Sequence, residues 1–288
     1  MASVMTLYER LATARKQLEA AGIAAAAAAL DAEVLARHVL GWDRAQLLSH
    51  NRDAAPDGFD ERFQPLVDRR SRREPVAMIT GTREFWGRDF TVTPDTLVPR
   101  PDTELIVEEA LRFLPDRDRA VVIDIGTGSG CLAVTLAAER PQAVVIATDI
   151  SREALLVARG NARRHQVDDR IHFLQADLAS GLQMQADLIV SNPPYVPNRD
   201  VCTLPLDVSR YEPATALFGG PDGLSVIERL LATLTPLLAP HAAFIVEFGY
   251  GQEDHVRAAA EREGWQVVRV RRDLQGIART AVLERKRE

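Results

Sequence analysis

The sequence predicts an α/β chain: a doubly wound, mainly parallel sheet with an antiparallel C-terminal hairpin, preceded by a small all-α domain. Three observations carry that expectation. From Ala120 onward, short apolar runs of strand type alternate with helical periods, the pattern of repeated βα units and so of a mainly parallel sheet. The last two strand-like runs, 266–270 and 280–284, have no helix between them, which calls for an antiparallel pair at one edge. Before residue 75 the apolar residues recur at helical spacing instead.

In order, Thr6 is the N-cap of a helix through residue 20, with Leu7, Leu11 and Leu18 on one face and Gly22 closing it. The alanine run 24–29 feeds into Leu30, Val34, Leu35 and Val39 and reads as a second helix ending at Gly41. Asp43 caps a short helix to about Ser49, and 59–73 makes another, stopped by Pro75. The arginines at 69, 70, 72 and 73 read as a solvated helix end, since helix C-termini favour cations. Residues 1–75 are therefore expected to form a helical docking domain. Between 76 and 98 the period turns strand-like, first at Met78-Ile79 and then from Glu84 to Val92, giving a β-hairpin linker. Residues 99–288 are expected to form the second, larger domain in this partition. It starts with a helix over 105–114 and continues with strands at 121–125, 144–148, 171–174 and 188–190, separated by helices over 131–139 and 152–166. A helix over 225–238, a strand over 242–248 and a helix over 253–263 precede the closing pair.

Composition bounds the function. At 288 residues two domains are expected, because single cores stop growing near ~250 residues. Hydrophobic residues at 46% and charged ones at 26% are the ordinary globular balance. A formal net charge of -6 offers no overall attraction to phosphate backbones, so no direct nucleic-acid partner is expected. The apolar stretch 22–30 falls short of the ~18 residues a membrane helix needs, and the N-terminus lacks a signal layout. A cytoplasmic protein without membrane contact is the expectation. Two distant cysteines and six scattered histidines imply reduced thiols and no metal.

Two stretches carry chemistry. Gly126-Thr127-Gly128-Ser129-Gly130 lies between a strand and its helix, where glycines let the backbone turn tightly and approach a ligand at the carboxyl end of the sheet. With Cys131 in the sixth position it is not G-x-G-x-x-G, and it has neither the lysine of a P-loop nor the spacing of a nucleophile elbow. Asp149 closes the next strand about 20 residues on, where a carboxylate can accept both hydroxyls of a ribose. Asp177, with Leu178, is placed to reach an adenine amino group and cover the ring; a plain turn explains that aspartate equally well. The second stretch is Asn192-Pro193-Pro194-Tyr195 after the apolar strand. Two prolines end sheet pairing and make a rigid polar corner in which Asn192 offers an acceptor and a donor to a planar –NH2 group.

Together these residues resemble a family. The glycine loop with Asp149 is similar to the S-adenosylmethionine loop of class I methyltransferases, and Asn192-Pro193-Pro194-Tyr195 to the amino-group methylation signature shared by enzymes acting on adenine and on glutamine amides. Five further segments look like the peptide chain release factor glutamine methyltransferases: 85–88, 97–104, Tyr211-Glu212-Pro213, 219–224 and 247–252. The segment 273–279 departs from that family's pattern. The resemblance implies a Rossmann-like catalytic domain. It also implies methyl transfer from S-adenosylmethionine to the glutamine amide in the Gly-Gly-Gln loop of class 1 release factors. Asn192, Pro193 and Tyr195 would then be catalytic, with Pro194 beside them against the substrate, and Gly126, Thr127, Gly128, Ser129, Gly130, Asp149, Asp177, Leu178 and Asn192 would hold the cofactor. Arg100 and the 211–213 loop are further candidates for lining the substrate slot. An N6-adenine methyltransferase is the nearest rival, opposed by the acidic balance. An NAD-dependent oxidoreductase is the second, opposed by the missing G-x-G-x-x-G, and a non-enzymatic binding module is the third.

Overall fold

Thr6 starts the first helix through a reciprocal capping box: its hydroxyl oxygen accepts the Glu9 N–H at 3.3 Å, and the Glu9 carboxylate accepts the Thr6 N–H at 2.8 Å. The structure, a computed structural model, describes residues 5–114 and 119–286. Helix α1 spans Leu7–Ala20 and α2 Ala25–Leu40, which absorbs the alanine run and stops at Gly41 with φ 68°. α3, Arg44–Ser49, is capped by Asp43, and α4 runs Phe59–Ser71. Leu7, Leu18, Leu35, Phe59, Phe63 and Val67 form the centre of their shared core. Met78 and Ile79, expected in a strand, lie instead in α5, Val76–Thr80. Pro75 stands at its N-cap and its carbonyl accepts both of their N–H groups at 3.0 Å, while Gly81 at φ 75° ends the turn. An apolar run this short fits either period, and the proline decided it.

The chain divides into two compact units, one holding the described residues up to Gly81 together with Pro205–Tyr211, the other holding the rest. Within the first unit Arg70 is not solvated as the arginine run suggested; it is buried, bonded to Asp31 at 2.7 Å and 3.6 Å from Asp207. Two carboxylates around one guanidinium make that burial tolerable. Tyr211 belongs to the same unit, its hydroxyl donating to the Arg72 carbonyl at 2.9 Å.

In the second unit β1, Thr82–Phe85, and β2, Arg88–Thr91, form a hairpin. Its two turn residues Trp86 and Gly87 both have positive φ, 53° and 69°, the geometry that matches strand twist in two-residue loops. Phe85 and Phe90 deliver it to the core. The alternation then follows: α6 Glu104–Phe113, β3 Val121–Ile125, α7 Cys131–Glu139, β4 Val144–Asp149, α8 Arg152–Arg164, β5 Ile171–Gln175 and β6 Ala186–Ser191. After β6 come α9 Leu206–Tyr211, the segment that joins the first unit, and α10 Ala214–Leu217, neither foreseen because 196–218 has no clear period. α11 Ser225–Thr233, β7 Leu238–Glu247, α12 Glu253–Arg262, β8 Trp265–Arg272 and β9 Ala278–Arg285 complete the unit. α11 is shorter than expected, its last residues forming a 3₁₀ turn at Thr235–Leu237 that contains Pro236.

The seven strands lie in the order β5-β4-β3-β6-β7-β9-β8, with β9 antiparallel to β7 and to β8 and the others parallel. Strand order reverses between β3 and β6, so a crevice opens beyond their carboxyl ends, where ligands bind in open α/β sheets. One side chain ties the hairpin to that crevice. Asn161 on α8 is fully buried; its Oδ1 accepts the Thr91 N–H at 2.8 Å, and its Nδ2 donates to the carbonyls of Thr91 and Ser129 at 3.0 and 2.8 Å. Asn161→Ala strands those groups in the interior and is expected to cost about 2–4 kcal/mol, read as a lower urea midpoint at unchanged m.

Candidate active site

The glycine loop follows β3 and is held from both sides. Gly126 and Thr127 donate their N–H groups to the Thr148 carbonyl at 2.9 Å. Beneath them Asp124 is fully buried, accepting the Thr127 hydroxyl at 2.6 Å and the Ala133 N–H at 3.1 Å; burial pushes its pKa up to about 7. Gly126 and Gly128 have φ 73° and 54°, and a Cβ added to either would meet nothing within 4 Å. Their backbone is bare toward open space, as a loop that cradles a ligand requires. Gly130 differs: its Cβ would come within 3.0 Å of Ala158, so this glycine is there for the packing of α7 on α8 and does not line the cavity described below. Asp149 accepts the Gly128 and Ser151 N–H groups, one on each carboxylate oxygen, both at 2.9 Å. Burial raises its pKa against those donors, and each oxygen keeps a lone pair for a hydroxyl.

The proline corner follows β6, whose last residue Ser191 donates its hydroxyl to the Ile125 carbonyl at 2.8 Å and so joins the two strand ends. Asn192 Nδ2 donates to Thr103 Oγ1 at 2.9 Å, and Thr103 Oγ1 donates to Glu247 at 2.7 Å. Asn192 Oδ1 is closed to solvent and has no partner among the described residues. Tyr195 turns back into the protein; its hydroxyl donates to Glu247 at 3.0 Å, and burial pushes its pKa upward. The corner is clamped from outside. A Cβ on Gly219 would collide with the Pro194 carbonyl and one on Gly223 with the Tyr195 carbonyl, and Gln252 Nε2 donates to that same Tyr195 oxygen at 3.0 Å. The segments 219–224 and 247–252 thus brace the backbone of 194–195.

Both stretches open on one cavity of about 330 Å³, the size of a small-molecule site. From the loop it takes Gly126, Thr127, Gly128 and Ser129, and from the corner Asn192 and Pro194. Asp149, Asp177 and Leu178 also line it, Asp177 being paired with Arg229 at 2.7 Å and Leu178 standing at φ 54°. Pro193 and Tyr195 do not reach its wall. Arg100 lines it, held by Glu212 at 2.5 Å, and Pro213 does so too, whereas Tyr211 lies with the helical unit. Cys131 also lies on the cavity, but burial pushes its thiol up to about 12, which keeps it protonated and unreactive. Thr103 and Glu247 had not been singled out. The sign for Glu247 is a carboxylate inside the otherwise apolar run 242–248, at the start of the 247–252 segment; Thr103 carries none beyond its place in the 97–104 segment.

Comparison with known proteins agrees with this architecture. The PrmC N-terminal domain model matches residues 9–81, and the Methyltransferase small domain model matches 103–204. A release factor glutamine methyltransferase from Bordetella pertussis is 44% identical over 252 residues, covering 87% of this chain and 92% of its own length. One from Koribacter versatilis is 40% identical over 280 residues, covering 96% and 98%. Among solved structures, a methyltransferase from Pyrococcus furiosus aligns with TM-score 0.53 at 18% identity, over 75% of this chain and 97% of that one, a likeness of fold alone. With identity of this order over alignments that cover 87% and 96% of its length, the chain belongs to the release factor glutamine methyltransferase family.

Proposed function

We propose that the protein methylates the side-chain amide nitrogen of the glutamine in the Gly-Gly-Gln loop of class 1 release factors, using S-adenosylmethionine. The observation that supports it most is that the bare glycine loop and Asn192 line the same cavity. The relatives named above carry the glutamine and the release factor in their names.

S-adenosylmethionine, bound there, would supply a methyl carbon made electrophilic by its sulfonium. Asp149 accepts the ribose hydroxyls, Asp177 the adenine amino group, and Leu178 covers the ring. An amide nitrogen is a poor nucleophile because its lone pair is delocalised into the carbonyl, so orientation has to supply what basicity does not. Asn192 Oδ1, buried and without a partner among the described residues, would accept an amide proton of a glutamine seated against it and hold the lone pair toward the methyl carbon. Pro193, set back from the cavity wall, fixes the backbone beside it. Transfer would leave S-adenosylhomocysteine as the thioether and release one amide proton. Pro194 stiffens the corner, and Tyr195 supports it from behind. Glycine neighbours let the substrate glutamine enter a deep slot, because they have no side chains to stop at its rim. Residues 1–75 dock a second surface of the release factor. Among the described residues no helix is long and apolar enough to cross a membrane. A release-factor substrate is consistent with a reaction in the cytoplasm, and the net charge of -6 argues against a direct nucleic-acid partner.

Incubating the protein with a release factor and isotope-labelled S-adenosylmethionine is expected to add one methyl group to the Gly-Gly-Gln glutamine, seen by peptide mass spectrometry. A short Gly-Gly-Gln peptide, lacking the surface for the helical unit, is expected to show a higher KM than whole factor. An unmodified glutamine would reject the assignment.

A further inference from the structure

A carboxamide has nearly the same shape whichever way round it sits, so a corner that must accept protons from an –NH2 group needs something to keep the Asn192 oxygen, and not its nitrogen, toward the substrate. The structure shows what does this. Glu247, the last residue of β7, is 1% exposed, and its carboxylate receives two hydroxyls, Thr103 on Oε2 at 2.7 Å and Tyr195 on Oε1 at 3.0 Å. In its ionised form Glu247 has no proton to give, so both hydroxyls then donate to it. With its proton committed, Thr103 Oγ1 can only accept, and the group 2.9 Å from it has to be the Asn192 –NH2. The oxygen is thereby assigned to the other end, where it has no partner among the described residues. Burial raises the Glu247 pKa to about 7 while its two hydroxyl donors and Arg279 pull the other way, so above that pH the acceptor-only form prevails.

We propose that Glu247 and Thr103 are positioning residues that fix the polarity of the Asn192 carboxamide, Glu247 orienting the Thr103 hydroxyl and Thr103 in turn holding the amide nitrogen. The proposal rests on the reading that Asn192 receives the substrate amide. In the flipped orientation two –NH2 groups would face each other without a bond, and the Asn192 oxygen would oppose a lone pair of Thr103. An unpaired buried polar group of this kind is unfavourable at each end, so the flipped orientation is disfavoured. Tyr195 enters the same arrangement as the second donor that keeps Glu247 in place.

Thr103→Val, close to Thr in shape, removes the acceptor; Glu247→Gln supplies an –NH2 that can donate, freeing the Thr103 hydroxyl to turn toward Asn192. Both are expected to lower kcat toward whole release factor by about 100-fold. The Kd for S-adenosylhomocysteine, measured by calorimetry, is expected to stay within about twofold, and Thr103→Ser to recover kcat to within about threefold of the unmodified enzyme. Unchanged kcat in Thr103→Val overturns the proposal, and so does a loss of cofactor affinity that matches the loss of rate, the result of a merely structural role. If Glu247→Gln does not fold, Thr103→Val and Thr103→Ser decide the matter between them. Asn192→Ala measured alongside separates the two levels. An active wild type, an inactive Asn192→Ala and a fully active Thr103→Val would defeat the polarity inference alone, whereas a wild type that leaves the factor unmodified would defeat the functional reading beneath it.

Discussion

Asn192→Ala is expected to reduce kcat about 1000-fold, the scale of losing one preorganised polar partner of the reacting group, while the protein still binds S-adenosylhomocysteine. The reasoning starts from the substrate. A glutamine amide attacks only when its nitrogen is held with the lone pair on the line of the methyl carbon, and the side chain proposed to hold it is Asn192. Asn192 contributes little to the stability of the fold: among the described residues its side chain bonds only to Thr103, and its oxygen has no partner. Truncation therefore removes an acceptor without leaving a large hole. The measurements are transfer of labelled methyl to whole release factor and calorimetric titration with S-adenosylhomocysteine. Retained turnover would mean that the corner is a strand-ending turn and that the amide is gripped elsewhere.

Asp149→Ala should produce the reverse pattern, a cofactor Kd raised about 100-fold, since two hydrogen bonds to a charged acceptor are together worth about 3 kcal/mol. Part of that loss comes from the loop itself. The same carboxylate fixes the Gly128 and Ser151 N–H groups, so its removal also loosens the cradle. Asp149→Asn, which keeps one acceptor, should fall between. Thermal shift distinguishes the cofactor class in the same experiment: S-adenosylhomocysteine should raise the Tm of the unmodified protein and NADH should not, with Asp149→Ala losing most of the rise. A large shift with NADH would restore the oxidoreductase reading.

Much of the catalytic unit was legible because its signals are local. The run 121–125 with its glycine loop, the strand ending at Asp149 and the two prolines after Asn192 each specify a backbone path within a few residues. The errors fell where a local pattern had two solutions or none. Met78-Ile79 fits a strand or a helix, and Pro75 tipped it. Residues 205–211 carry nothing that marks them as leaving the sheet unit, since their placement with the helices depends on Arg70 and Arg72, far back in the chain. Gly130 is the third glycine of the loop, where both a φ of 81° and the nearness of Ala158 call for glycine, and neither reason can be read from the spacing alone.

By itself the sequence determined the alternation of strands and main helices from 121 to 191, the positions of the glycine loop and the proline corner, and the class of chemistry that such a pair serves. Only the tertiary structure decided how the Asn192 amide is held. Thr103 lies 89 residues before it, and Glu247 lies 144 residues beyond Thr103. No spacing rule links such positions, because the hydrogen bonds between them exist only once β6 and β7 are paired and Thr103, just ahead of α6, has come up to their carboxyl ends.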